Sequence, residues 1–89
     1  MAERDDERYL RLQVRLAGGL CEQIAPTVAG LPDRMVLLRG RVYLVEMKTT
    51  SGALRPVQRA WHAKALAAGV PVYTLHGRED VDLWLDLVT

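Results

Sequence analysis

The sequence predicts an α/β fold, a small mixed sheet flanked by helices, and three observations lead there. Apolar residues recur at helical spacing near both ends of the chain and again after Pro56. Two apolar runs, Arg34 to Leu38 and Val42 to Met47, are separated by little more than Arg39-Gly40, as in a hairpin. A further strand-like run, Val70 to Leu75, follows the central helix. The expected order is α-β-β-β-α-β-α within a single domain spanning residues 1–89.

The first helix is expected from Glu3 to about Ala17, closed by Gly18-Gly19, because glycine readily takes the conformation just beyond a helix end. At 100° per residue, Arg4, Arg8, Arg11 and Arg15 form one stripe, and Leu10 and Val14 lie on the opposite arc. Leu20 to Ala29 has room for a strand and a loop without a clear period. Pro32 cannot sit inside a central strand, since it lacks the N–H a ladder needs. Pro56 suits the first turn of a helix, where that N–H has no partner anyway, and the helix should run to about Ala68 before Gly69. Val70 to Leu75 is rich in β-branched residues. A loop through Gly77 then leads to a last segment, Val81 to Val88, whose Val81, Trp84, Leu85 and Val88 have helical spacing. Its Val81, Leu83, Leu85 and Leu87 also alternate at strand period.

At 89 residues the core must be thin, and the absence of Phe leaves Leu, Val, Ala and two Trp to build it. Self-association would add the apolar burial that a small core lacks. Lys and Arg number 12 against 11 Asp and Glu, and the lack of a positive excess argues against a nucleic-acid partner, although the arrangement of charge matters more than its sum. One cysteine, Cys21, excludes an intrachain disulfide and fits a reduced, cytoplasmic setting, with Cys21 as a small packing residue. No apolar run reaches the roughly 18 residues of a membrane span. The start, Met1 to Glu7, carries both signs of charge and does not read as a signal peptide.

The chemistry is expected at one end of the hairpin. If Arg39-Gly40 is a two-residue turn, Leu38 pairs with Arg41, and counting back places Asp33 opposite Glu46. Opposed residues share a sheet face with Cβ atoms about 5 Å apart. Lys48, two residues beyond Glu46, shares that face. Opposed like charges destabilise a sheet unless something offsets them. A surface ion-pair cluster with Lys48 would do so, and so would a divalent cation. Oxygen donors suit Mg²⁺ or Mn²⁺, whereas zinc prefers His and Cys.

Gly30-Leu31-Pro32-Asp33, Val45-Glu46-Met47-Lys48, and then Gln58 within Leu54-Arg55-Pro56-Val57-Gln58 resemble the pattern of the PD-(D/E)XK nucleases. More narrowly they resemble the virus-type replication-repair nuclease domain, VRR-NUC. The resemblance runs from about Glu7 to Val81. It implies a restriction-endonuclease-like core and a Mg²⁺-dependent DNA endonuclease, with Mn²⁺ as a substitute. Asp33, Glu46 and the backbone carbonyl of Met47 would hold the metal. Lys48 would orient or deprotonate the attacking water, and Gln58 would hydrogen-bond into the site. The family also places an acid on its first helix in an E-x-x-apolar pattern; Glu7 matches, with Glu3 and Glu22 as rivals. Stand-alone members resemble Holliday-junction resolvases, which implies branched DNA, a homodimer, and a bacterial or phage-infected cytoplasm.

Other residues admit plainer readings. The stripe of Arg4, Arg8, Arg11 and Arg15 is either a solvated face or a phosphate contact. Arg55 and Arg59 flank Gln58 and are expected to reach a DNA backbone. Arg34 should point to the opposite sheet face and takes no catalytic role. His62 and His76 read as surface or packing residues. Thr49, Thr50 and Ser51 read as a turn. Trp61 and Trp84 read as core or dimer interface. Trp84, Leu85 and Val88 are expected to supply a dimer interface, the alternative being that they close the monomer core.

Overall fold

The computed structural model describes residues 3–89, with side chains from Asp5 onwards. Its elements are α1 (Glu3–Leu16), β1 (Leu20–Gln23), β2 (Arg34–Leu38), β3 (Arg41–Lys48), α2 (Pro56–Ala67), β4 (Val72–His76) and α3 (Gly77–Val88). The strands form one sheet in the order β1-β2-β3-β4. The first two pairings are antiparallel, and β4 joins β3 in parallel through the α2 crossover. The sheet is therefore mixed, as expected.

The hairpin turn explains the register. Arg39 and Gly40 both have positive φ, 53° and 77°. Such a turn matches the twist of the flanking strands. It fixes Leu38 opposite Arg41 and Arg34 opposite Val45. The stretch that lacked a clear period holds the short edge strand β1, with Cys21 paired to Val36 and buried.

Successive strand residues face opposite ways, and the two faces of this sheet differ. One carries Val36, Leu38, Val45, Met47 and Leu75, which pack with Leu10 and Val14 of α1 and Val81, Trp84 and Leu85 of α3. Tyr43, Tyr73 and Trp84 close this core with ring centroids 5.5–6.0 Å apart. Trp84 and Leu85 are thus buried within the monomer, and the dimer interface expected of them is corrected: the last helix spends its apolar stripe on its own sheet. That helix also begins earlier than expected. Gly77 is its first residue rather than a loop, because Asp80 accepts a hydrogen bond from the His76 backbone N–H at 2.8 Å and caps the start. Tyr9 joins α1 to α3 by donating to Asp82 at 2.7 Å. The other face carries α2 and the charged end of the hairpin.

Candidate active site

The site face is reached by following the register to the end of β3. Arg34 pairs with Val45, so Asp33, the next residue back, comes level with Glu46. The Met47 backbone N–H donates to Asp33 Oδ1 at 3.3 Å, which holds this carboxylate against the β3 backbone beside Glu46. The Asp33 carbonyl also accepts from Ile24 N at 2.9 Å, tying the loop before β2 to the end of β1. Pro32, just before it, is fully buried.

Glu46 is 3% exposed. Its Oε2 lies 4.0 Å from Lys48 Nζ, and the Lys48 side chain is itself largely shielded from water. In such surroundings Coulomb attraction is far stronger than between exposed groups. The structure thus brings Asp33, Glu46 and Lys48 together at one end of the hairpin. The parallel strand adds residues that sequence reasoning missed as neighbours: Thr74 is level with Glu46, and His76 with Lys48. Period-two reading of Val72-Tyr73-Thr74-Leu75-His76 carries that signal once β4 is known to join β3. His76 Nδ1 lies 3.1 Å from the Thr49 carbonyl and anchors the Thr49-Thr50-Ser51 loop beside the site.

Helix α2 starts over this end of the sheet. Gln58 is buried, and its Oε1 accepts from the Arg55 backbone N–H at 2.8 Å, so the motif glutamine also caps its own helix. Gly30 allows the Asp33 loop to pack against the same helix: a Cβ there would lie 2.4 Å from the Val57 carbonyl oxygen. One turn after Gln58 stands His62. Burial foremost, and then the nearby Lys48 ammonium, lower its pKa and favour the neutral ring.

Glu7 is placed differently. Its carboxylate meets the Arg34 guanidinium at 3.1 Å on the α1 side of the sheet. Arg34 points away from Asp33 and Glu46, as expected. Among the described residues, no group of three or more His, Cys, Asp and Glu side chains is arranged to hold a metal. Glu7 therefore does not join the Asp33–Glu46 pair here, and the donors at hand are two carboxylates and the Met47 carbonyl. That set is all oxygen. It fits Mg²⁺ or Mn²⁺, which commonly take one or two protein carboxylates and complete their shell with water.

Arg55 and Arg59 are exposed at the start of α2, with Arg59 Nη1 donating to the Leu54 carbonyl at 2.9 Å. Arg8, Arg11 and Arg15 are exposed on α1, across the sheet from Glu46. The side chain of Arg4 lies outside the described residues. Arg11 stands 3.9 Å from Glu22, an ion pair open to solvent and of little energetic weight. Among the described residues no helix is long and apolar enough to cross a membrane.

No family model and no curated protein matches the sequence. A solved structure described as a VRR_NUC domain is similar over 94% of this chain and 94% of its own, with a TM-score of 0.86 and 25% identity. The motif residues and the three-dimensional arrangement thus agree, and the chain has the fold of a VRR_NUC domain.

Proposed function

We propose that this protein is a Mg²⁺-dependent DNA endonuclease. The observation that carries the reading is the convergence of Asp33, Glu46 and Lys48 at one end of the hairpin, on a fold shared with a VRR_NUC domain. Asp33, Glu46 and the Met47 carbonyl would hold the ion. When bound, a divalent cation supplies an activated water and polarises a phosphoryl oxygen. Lys48 stabilises charge on the phosphate and orients the water from a position fixed by its shielded surroundings. Gln58 uses its oxygen to cap α2, which leaves its amide nitrogen to donate into the site. Arg55 and Arg59 contact the flanking backbone at the same end of α2, while the α1 stripe meets only the arms of a branched substrate that extend past the site.

Resolving a four-way junction takes two matched cuts, and one chain offers one site. The preferred substrate in this reading is therefore branched DNA, cut by a homodimer in a reducing cytoplasm. A competition experiment checks it. Purified protein is incubated with four-way junction and linear duplex in Mg²⁺ or in EDTA. The expected result is Mg²⁺-dependent cleavage with the junction cut at least tenfold faster. Equal rates on both substrates would remove the junction preference, and cleavage undiminished in EDTA would remove the metal.

A further inference from the structure

The end of the sheet remote from Asp33 and Glu46 carries a second set of chemically able side chains. The hairpin turn, the starts of β3 and β4 and the last turn of α3 meet there. Arg39 and Arg41 stand at this end, both exposed. Among the described residues neither guanidinium meets a carboxylate, whereas Arg11, Arg34 and Arg78 each do. Arg39 also holds an unfavourable conformation. Its φ is 53°, in the left-handed region where a Cβ is crowded and where Asn or Gly usually fills such a turn. An arginine kept at that position points to a use for its charge.

Two aromatic rings lie beside these arginines. Tyr43 and Tyr73 are half-buried, with centroids 6.0 Å apart. With Arg39, Arg41, Leu87 and Val88 they line an open hollow of about 450 Å³. It adjoins a second hollow past Val70 and Pro71, and a third whose floor includes Leu20 and Val42, each more than half exposed. Arg41 borders all three, and no acid lines any of them.

We propose that this groove docks a single-stranded segment of nucleic acid, away from the place of cleavage. The groove is open and elongated, which suits a chain rather than a compact molecule. Two unpaired guanidiniums suit phosphates, each of which can accept paired hydrogen bonds from one arginine. Ring surface next to a cationic track suits unpaired bases, which stack on aromatic side chains whatever their sequence. An acidic protein segment would satisfy the arginines and leave the rings unused. Arg41 and Lys48 are the first and last residues of β3, roughly 23 Å apart at the rise of a strand. The groove is therefore too far away to hold the phosphate that is cut. The inference rests on the nuclease reading above for its choice of a nucleic acid, and it adds a docking site to that reading.

The test reads fluorescence anisotropy of a labelled oligothymidine of about 15 nucleotides, in EDTA so that nothing is cut. Arg39→Asn combined with Arg41→Gln removes both charges from exposed side chains. Asn-Gly is a preferred pair for this turn, so the double variant should melt no lower than the parent. It should bind the strand at least about tenfold more weakly, and the slope of log affinity against log salt should shrink by about 1.4, as for two phosphates of a single strand. Polyglutamate of matched charge should compete poorly. A strand carrying iodouracil should photocrosslink to Tyr43 or Tyr73, located by mass spectrometry. No binding by the parent, parental affinity in the double variant, or crosslinks confined to other residues would overturn the site. Polyglutamate competing as well as oligothymidine would make the groove a surface for an acidic protein segment instead. Plasmid nicking in Mg²⁺, measured in parallel, separates the two readings. Nicking by a protein whose strand binding ignores the double substitution removes only the groove, and strand binding at the groove without nicking removes only the nuclease.

Discussion

His62 shows how one side chain can be read twice. From sequence it was a surface or packing residue. The structure adds that its ring is partly buried, with Nε2 shielded from solvent and no hydrogen-bond partner for that atom, and that Lys48 is close enough to disfavour its charged form. The consequence for stability has a definite sign. The folded-state pKa lies below the unfolded value of 6.5. Above that value the ring is neutral in both states and its contribution is complete. As pH falls below 6.5 the unfolded chain takes up a proton that the folded protein resists, and stability is lost. Urea midpoints should fall between pH 7.5 and about pH 5.5, and His62→Gln should reduce that fall. An undiminished fall in the variant would place the acid sensitivity elsewhere. Asp33, Glu46 and Lys48 were legible because strand periodicity and one turn fix their mutual register. The Glu7–Arg34 ion pair was not, because a helix periodicity says nothing about which sheet residue it meets.

The hairpin was the most legible element, since two adjacent residues in a turn decide every pairing that follows. β1 was obscure for the opposite reason: it is a four-residue edge strand, Leu-Cys-Glu-Gln, of which only Cys21 is buried. The start of α3 was misread because a glycine suggested a loop, while the capping carboxylate of Asp80 lay inside the helix itself. Two glycines separate conformational from packing demands. Gly30 and Gly40 both have positive φ, but a Cβ on Gly40 meets nothing within 4 Å, whereas one on Gly30 strikes the Val57 carbonyl and Trp61. Gly40→Ala should cost about 1 kcal/mol from backbone strain. Gly30→Ala should cost on the order of 3 kcal/mol, because the Asp33 loop must also lift from α2. Thermal melts compare the two directly, and equal losses would mean that the loop and helix are not packed as described.

At the scale of the whole molecule, the α/β class and the order of elements were both legible. The use of the last helix was not. Trp84 and Leu85 complete a core built with Tyr43 and Tyr73, leaving the apolar surplus on α2 and the open strands instead. Segment composition reveals apolar surface but not which neighbour covers it. The fold sets the charged end of the hairpin against the start of α2, so the Asp33 and Glu46 carboxylates, Lys48 and the arginines flanking Gln58 lie towards one end of the sheet. Two readouts taken together test that placement. Mn²⁺ binding by calorimetry and plasmid nicking in Mg²⁺ should be measured on the parent, Asp33→Asn and Lys48→Ala. Asp33→Asn should weaken both by at least tenfold, and Lys48→Ala should keep metal binding while losing at least about a hundredfold in nicking, the scale of a positioned proton-transfer or charge-stabilising group. Nicking at the parental rate by Lys48→Ala, or parental metal binding by Asp33→Asn, would contradict it.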